Sequence, residues 1–326
     1  MPVVLCGIDE AGYGPMLGPL CVGASTIRID DWSPGDPAPD LWKLLDRAVS
    51  RTPSRARRPR KIAIADSKAL KLPNSSITRH PLFHLERGVL ASLRCAGHAP
   101  LTDVELLSHL GAAIDPAPWY DGDPLAIPLG HSAGQCAIDA NVLARAVADA
   151  GAAFTSLACE AVGEATFNDR VKGAGSKAAA ELPAIGAHMR AAIGAAREDE
   201  PVRIVCDRLG GRTNYARDLE DLLQPEDLRV LEQTPERSRY ALTVRGRDVR
   251  VHFMTEAERH HFPVALASML AKYVREIAMA RFNRYWCARL PELKPTAGYV
   301  TDARRWLADA ADAISPIERA ALVRIA

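Results

Sequence analysis

Apolar runs that stop abruptly at charged or glycine-rich turns are the main pattern along this chain. The run Val3–Ile8 predicts a buried β-strand, and two adjacent acids, Asp9 and Glu10, follow it. The next residues, Gly12–Pro15, include two glycines and a proline, which bend the chain and let a ligand approach the backbone closely. A second run, Leu20–Ile29, predicts a strand that is antiparallel to the first if the intervening turn is tight.

The same patterns predict the elements that follow. Strands are expected at Lys61–Ala65, Phe154–Val162, Val202–Asp207 and Arg250–Phe253. Helices are expected at Leu41–Val49, Leu82–Leu93, Ala137–Ala150 and Lys177–Ala196, and another begins near Pro263, a residue that suits a helix N-terminus. In this last helix apolar residues recur at helical spacing, and the opposite side carries Ser268, Lys272, Arg275 and Glu276.

Acids recur at the ends of two predicted strands. Asp9 and Glu10 follow the first strand, and Asp207 ends the strand Val202–Asp207 before another pair of glycines. Strands of one sheet that each deliver an acid at the C-terminal end can converge on a single site. Two carboxylates about 4 Å apart repel by roughly 4 kcal/mol at an effective dielectric near 20, so a proton or a cation must offset their charge. A divalent metal would do so, although such acids also occur as ordinary turn residues.

Composition limits the class of protein. The chain has 326 residues, 48% of them apolar, and can form one large domain or two small ones. It contains no apolar run of about 18 residues and no leader pattern, so we expect neither a membrane span nor a secretion signal. The seven cysteines are scattered and never in Cys-x-x-Cys spacing, which favours a reducing cytoplasm over a disulfide framework or a thiolate zinc site.

The formal net charge of only +1 does not indicate a polyanionic partner. The distribution is uneven, however. Residues 51–61 carry six basic residues and no acid. Such a run is usually a solvated loop, but it is also typical of a loop that contacts phosphates.

Several short segments, in order along the chain, resemble the motifs of one family. Gly7–Pro15 resembles the opening Gly-Ile-Asp-Glu-Ala-Gly-Arg-Gly-Pro motif of the type 2 ribonucleases H (ribonuclease HII), with Tyr13 in place of the arginine. Further similarities are those of Asp66–Leu70 to Asp-Ser-Lys-x-Leu, of Ala267–Glu276 to Ala-Ser-Ile-Ile-Ala-Lys-Val-x-Arg-Asp, of Lys294–Thr301 to Lys-Gly-Tyr-x-Thr, and of Ile314–Arg319 to Pro-x-His-Arg.

The resemblance implies a fold. We expect a ribonuclease H-like α/β fold, in which helices flank a mixed β-sheet and the acids gather at strand ends. The whole chain, residues 1–326, is then a single catalytic domain. A segment rich in proline, glycine and aspartate, about residues 95–136, has no counterpart in the family and is interpreted as an insertion. A helical C-terminal segment, about residues 288–326, corresponds to the family's substrate-recognition segment.

The resemblance also implies a metal site. Asp9, Glu10 and Asp207 match family ligands, and Glu258 is the nearest acid to the position of the last one, with Glu256 as its competitor. These four acids are expected to hold two Mg²⁺ or Mn²⁺ ions. One ion would activate water and the other would stabilise the leaving 3′-oxygen, giving 5′-phosphate and 3′-hydroxyl ends. The pair His260 and His261 is an alternative set of ligands, although such pairs are more often structural or exposed.

Residues that bind substrate are implied in the same way. The backbone of Gly12, Tyr13 and Gly14 is expected to recognise the 2′-hydroxyl, with Lys68 and Lys272 as cations near phosphate. Tyr299 matches the family tyrosine that stacks at the RNA-to-DNA junction, although it can instead simply pack the tail onto the body. For Asp66 and Ser67 we favour a local role as caps of a turn.

The expected function is therefore endonucleolytic cleavage of RNA in RNA/DNA hybrids or of ribonucleotides embedded in duplex DNA. The nucleic acid is the expected partner, and we expect a cytoplasmic monomer with a role in DNA replication and repair. Three alternatives stay open: a nuclease of the same fold with another specificity, a catalytically inactive nucleic-acid-binding protein, and a partner-binding role for the insertion.

Overall fold

The structure is a computed structural model that describes residues 1–54, 56 and 60–325. Three arginines of the basic run, Arg55, Arg57 and Arg58, lie outside the described residues. The strands of the described part are β1 (Val3–Ala11), β2 (Leu20–Ile29), β3 (Val49–Ser50), β4 (Ile62–Ala63), β5 (Ala152–Val162), β6 (Val202–Asp207), β7 (Asp227–Gln233), β8 (Arg237–Val244) and β9 (Arg247–Met254).

Seven of these strands form one mixed sheet in the order β5-β2-β1-β6-β9-β8-β7. Strand β1 is parallel to β6, and β6 is parallel to β9, whereas β2 pairs antiparallel with β1 as predicted. The short strands β3 and β4 form a separate parallel pair. The strand predicted at Lys61–Ala65 is therefore present but shorter, and it lies outside the main sheet. The hairpin β7–β8, which the sequence analysis did not predict, extends the sheet beyond β9.

Eleven α-helices are found in the described residues. They are α1 (Leu41–Leu44), α2 (Ser67–Leu70), α3 (Phe83–Cys95), α4 (Asp103–Leu110), α5 (Ala133–Asp149), α6 (Glu164–Ala174), α7 (Ala178–Ala195), α8 (Ala216–Leu223), α9 (Phe262–Arg289), α10 (Val300–Asp309) and α11 (Pro316–Leu322). The helix predicted over Leu41–Val49 is wrong in its second half, because the chain leaves α1 at Leu45 and enters β3. No helix of the described part is both long and apolar enough to cross a membrane.

Helix α9 lies directly against β1 and β2. A Cβ atom added to Gly7 would lie 2.1 Å from the carbonyl carbon of Pro263, and one added to Gly23 would lie 2.3 Å from the carbonyl oxygen of Ala267. Glycine is thus the only residue that fits this close approach of strand and helix. The two strands and the first half of α9 consequently pack backbone to backbone.

The amphipathic pattern predicted for α9 does not mark a solvent-exposed face. Ser268, Lys272 and Arg275 are all buried, as are the apolar residues on the other side of the helix. The helix is covered all round because its polar side faces a cleft and a buried loop. Periodicity shows that two sides of a helix differ, but it does not show what covers each side.

Two apolar layers hold the sheet between helices. On one face, residues such as Leu5 and Ile27 pack with α3, α5 and α9. On the other face, residues such as Ile204 and Val251 pack with α7 and α8. The predicted mixed sheet flanked by helices is therefore confirmed.

The segment interpreted as an insertion is built into the body of the protein. It contains α4, and its Trp119 belongs to an aromatic cluster with Phe282 and Trp286 of α9. Asp103, the first residue of α4, forms a buried ion pair with Arg281 of α9. The segment therefore packs on the C-terminal half of α9.

Candidate active site

Three carboxylates meet at one edge of the main sheet. The parallel register pairs Ile8 of β1 with Cys206 of β6, so the next residue on each strand is an acid. Asp9, Glu10 and Asp207 each place one carboxylate oxygen within 4.8 Å of the others. Neighbours in a strand point to opposite faces. Here, at the end of β1, Asp9 and Glu10 nevertheless reach one common point.

Burial and mutual repulsion disfavour the charged forms of these acids. The pKa of Asp9 lies well above its usual range because the side chain is buried and because Glu10 and Asp207 are close. The same two causes, burial and then the charge of Asp207, raise the pKa of Glu10 to about 7. Burial also raises the pKa of Asp207, which accepts a hydrogen bond from the Ala257 N–H at 3.2 Å. A divalent cation would remove this repulsion, and carboxylate oxygens are the ligands that Mg²⁺ and Mn²⁺ prefer.

A cavity of about 200 Å³ opens over the acids. All the residues that the sequence analysis assigned to the site line this one cavity: Asp9, Glu10, Gly12, Tyr13, Gly14, Lys68, Asp207, Glu258, Lys272 and Tyr299. These residues come from six separate parts of the chain. The fold therefore brings the whole predicted set together, although their roles remain predictions.

Comparison with known proteins gives a sequence relative. No family model matches the chain. Ribonuclease HII of Azoarcus sp. (strain BH72) is 29% identical to it over 150 residues, which are 45% of this chain and 67% of that protein.

This chain is similar to ribonuclease HII over that stretch. The resemblance that the motifs predicted is thus confirmed over somewhat less than half of the chain.

Solved structures from the same group of proteins align along nearly the whole chain. One is the structure of the PCNA:RNase HII complex from Archaeoglobus fulgidus, with a TM-score of 0.46 and 14% identity over 99% of this chain and 94% of the other. Another is ribonuclease H2 from Pyrococcus horikoshii OT3, with a TM-score of 0.41 and 15% identity over 97% of this chain and 92% of the other.

Glu258 and Glu256 of this chain occupy different positions relative to the cavity. Glu258 lines the cavity and lies near Asp207 and Lys68, and its burial raises its pKa. Glu256 is exposed and forms an ion pair with Arg259 at 2.8 Å. Glu258 is not part of the tight group of three acids, but it is the better placed of the two competitors for a fourth ligand.

The two histidines lie away from the acids. His260 and His261 line a different cavity, which they share with Arg203 and Asp40. Burial and the adjacent His260 lower the pKa of His261. Among the described residues, neither histidine belongs to a group that could hold a metal ion.

The Asp66–Leu70 segment combines a cap with a cation. Asp66 accepts a hydrogen bond from the Lys68 N–H at 2.9 Å and caps α2, as predicted. The Ser268 hydroxyl donates to that of Ser67 at 3.0 Å, which fixes α2 against α9. Lys68 lines the cavity, where the charges of Asp66, Asp9 and the other acids raise its pKa against the effect of burial. Asp66 also lines the cavity, which its interpretation as a cap did not anticipate.

Lys272 and Tyr299 lie together in the lining of the cavity. The Lys272 ammonium pairs with Glu276 at 2.7 Å and lies 5.6 Å from the centre of the Tyr299 ring. Tyr299 remains 49% exposed, so much of its ring is free for a further contact. A residue that only packed the tail onto the body would be more deeply covered.

One acid near this site was missed by the sequence analysis. Glu181 of α7 is 1% exposed, and its Oε2 atom has no hydrogen-bond partner in the described part of the chain. Burial, followed by the charges of Glu10 and Asp207, raises the pKa of Glu181 to about 9. The available signal was a single acid in the otherwise apolar stretch Ala178–Ile185. A buried carboxyl group without a partner is costly, so its position beside the acids requires a reason.

Proposed function

We propose that this chain is a metal-dependent endonuclease of the ribonuclease H type. Its substrate is RNA in RNA/DNA hybrids or ribonucleotides embedded in duplex DNA, and its products carry 5′-phosphate and 3′-hydroxyl ends. The observation that carries the proposal is the meeting of Asp9, Glu10 and Asp207 within 4.8 Å at one sheet edge. The relationship to a protein named ribonuclease HII supports the same reaction class.

Asp9, Glu10, Asp207 and Glu258 would hold two Mg²⁺ or Mn²⁺ ions. The donor set fits, because it consists of carboxylate oxygens whose repulsion a hard cation relieves. Such ions, when bound, supply an activated water and neutralise charge on the reacting phosphate. The protein's own contribution is to hold the acids at one point and to exclude bulk water from beneath them.

Lys68 and Lys272 both place positive charge in the lining of the cavity. A Lys ammonium acts as a compact charge towards phosphate oxygens, and it needs no fixed orientation to do so. Lys68 is the freer of the two, because Lys272 already pairs with Glu276. We therefore assign Lys68 to the scissile phosphate region and Lys272 to orientation of the cavity wall beside Tyr299.

Recognition of ribose would come from the backbone of Gly12, Tyr13 and Gly14. The 2′-hydroxyl distinguishes RNA from DNA and can be read by backbone groups at close range. Tyr299 would stack on a base at the junction, as its half-exposed ring permits. We further propose a single catalytic domain over residues 1–326 that acts as a cytoplasmic monomer in DNA replication or repair.

Tyr13 favours a second candidate of the same fold, a nuclease with altered specificity. The family arginine carries a charge that a phenol cannot replace. The Tyr13 ring could stack on a base instead. The enzyme would then prefer substrates with unpaired or distorted nucleotides to substrates that it recognises through their backbone phosphates.

One panel of substrates tests both candidates. Duplex DNA with a single ribonucleotide, an RNA/DNA hybrid, an all-DNA duplex and an all-DNA duplex with unpaired nucleotides are each incubated with Mg²⁺ or Mn²⁺. Cleavage restricted to substrates with a 2′-hydroxyl is the expected result, and cleavage of all-DNA substrates would favour the altered nuclease. Binding without cleavage in any metal would contradict both and would indicate an inactive nucleic-acid-binding protein.

A further inference from the structure

The end of the chain returns to the loop that follows β1. Arg324, just beyond α11, is 2% exposed. Its Nη1 atom donates to the Gly12 carbonyl oxygen at 2.5 Å and to that of Gly18 at 3.4 Å. Its Nη2 atom donates to the Tyr13 carbonyl oxygen at 3.2 Å. One side chain thus holds three carbonyl groups that lie more than 300 residues earlier in the sequence, as a rigid guanidinium fork can.

The surroundings of Arg324 make this arrangement costly. Burial and the nearby Arg275 lower the pKa of Arg324 to about 10, and Glu164 provides the main opposing charge. The guanidinium lies 3.8 Å from the centre of the Phe167 ring. Its Nε atom has no hydrogen-bond partner in the part of the chain that is described. A buried charge of this kind contributes little to the stability of the fold, so its contacts with the loop require another explanation.

The direction of the peptide groups shows what Arg324 does to the loop. In a trans peptide the N–H points opposite to the C=O. Arg324 binds the carbonyl groups of Gly12 and Tyr13, so the N–H groups of Tyr13 and Gly14 point away from it. Both residues line the cavity over the acids, and neither N–H has an acceptor among the described residues. Two adjacent backbone donors are therefore free at the wall of the site.

The tail is fastened well enough to act as a fixed support. The Arg324 N–H donates to the Met16 carbonyl oxygen at 2.9 Å. On the other side, Asn168 donates to the Val323 carbonyl oxygen at 2.9 Å and accepts from the Ile325 N–H at 2.7 Å. The residues on both sides of Arg324 are thus anchored to α6, which leaves the guanidinium little freedom to move.

We propose that Arg324 is a positioning residue that orients the peptides of Gly12–Gly14 so that their N–H groups donate to the 2′-hydroxyl oxygen of a ribonucleotide in the substrate. This deepens the proposed function and rests on it for the identity of the ligand. It makes the last residues of the chain part of the ribose-recognition machinery, although they do not touch the substrate.

The test compares Arg324→Met and Arg324→Lys with the matched control Arg217→Met, an exposed arginine on α8. Hydrogen–deuterium exchange of residues 12–19 reports on the loop. The Km for duplex DNA with one ribonucleotide and the Kd for the all-DNA duplex report on recognition. We expect Arg324→Met to speed exchange in the loop and to raise that Km at least tenfold, with the all-DNA Kd within twofold. Arg324→Lys should be intermediate, because one ammonium cannot span the same carbonyl groups.

The outcomes separate the two proposals. Loop exchange at the wild-type rate in Arg324→Met, or equal changes in the Km and the all-DNA Kd, would overturn the role of Arg324. If Arg324→Met shows no cooperative thermal transition, it does not fold. Arg324→Lys then takes its place, with the same measurements of loop exchange and of the Km against the all-DNA Kd. A wild-type protein that cleaves nothing would overturn the proposed function, and the exchange of residues 12–19 would still decide whether Arg324 orients the loop.

Discussion

Asp9 and Asp207 come from strands about 200 residues apart in sequence, yet their carboxylate oxygens lie within 4.8 Å. The pairing of Ile8 with Cys206 produces this relationship, because both strands then end at the same edge. These acids repel one another and have raised pKa values, so a proton or a cation bound between them would be strongly stabilised. Each acid is thereby a direct target for mutation.

Asp9→Asn is expected to abolish cleavage in Mg²⁺ or Mn²⁺, with kcat lowered by more than about 100-fold. Loss of groups that merely support metal ligands costs about 10- to 100-fold, and Asp9 would be a ligand itself. Single-turnover cleavage measures the effect, with Asp149→Asn, an exposed acid at the end of α5, as the control. A folded Asp9→Asn protein with full activity would rule the mechanism out.

Glu258→Gln and Glu256→Gln form a matched pair that tests the fourth ligand. Glu258 lies in the cavity, whereas Glu256 pairs with Arg259 at the surface. We expect a loss of more than about 10-fold in kcat for Glu258→Gln. Glu256→Gln should remain within twofold of the wild-type protein. Titration with Mn²⁺ should show weaker binding only for Glu258→Gln, and the reverse order would assign the ligand to Glu256.

Glu181→Gln should stabilise the metal-free protein at alkaline pH. The folded-state pKa of Glu181, about 9, lies above its ordinary value, so its favourable contribution is full below about pH 4.5 and is lost as pH rises towards 9. The glutamine avoids this loss. The gain at pH 8 should be on the order of 5 kcal/mol, since pH 8 lies about 3.5 units above the ordinary pKa of 4.5 and one pKa unit corresponds to about 1.4 kcal/mol.

Chemical unfolding in the presence of a chelator, at pH 5 and pH 8, measures the Glu181→Gln effect. Glu220→Gln, an exposed acid on α8, serves as the control and should show no such pH dependence. A difference between Glu181→Gln and wild type that is the same at both pH values would contradict the prediction.

Tyr299→Ala should weaken the preference for a ribonucleotide junction without unfolding the protein. The ring is half exposed, so its removal opens little of the core, but it removes a stacking surface worth about 1–3 kcal/mol per base. The measurement is the ratio of cleavage at a junction to cleavage within a hybrid. Tyr299→Phe keeps the ring and should keep the ratio, and an unchanged ratio in Tyr299→Ala would count against the assigned role.

Tyr13→Arg restores the charge that the family motif carries at this position. The Km for nucleic acid should fall, and its dependence on salt should steepen by about one counterion, or roughly 0.9 in the slope of log K against log salt concentration. Tyr13→Gln, which is polar but uncharged, is the control for the loss of the ring. If the arginine leaves the salt slope unchanged, residue 13 does not reach a phosphate.

Local patterns predicted the acid-bearing edge of the sheet well. Strands β1 and β6 are short apolar runs that stop at an acid and a glycine turn, and this signal is complete within about ten residues of sequence. The mixed sheet and its flanking helices followed from the same runs together with the family resemblance.

Other features depend on packing between distant segments and had no local signal. The burial of both sides of α9 arises from contacts with β1, β2 and the loop that follows β1. Glu181 is notable only because α7 lies beneath Glu10 and Asp207. No local sequence pattern distinguishes Arg324 from an exposed charged residue near a chain terminus. In each case at least one of the decisive neighbours lies more than 100 residues away in sequence.

The contact of Gly7 with Pro263 has a mechanical consequence for Asp9, two residues further along β1. Because Gly7 has no side chain, direct van der Waals contact between main-chain atoms sets the distance between α9 and β1. The single methyl group of a Gly7→Ala variant would collide with Pro263. It would push α9, with Ser268 and Lys272, away from the sheet edge that carries the acids. The position of the acids relative to α9 thus depends on the lack of a side chain at Gly7, a residue that takes no part in the chemistry.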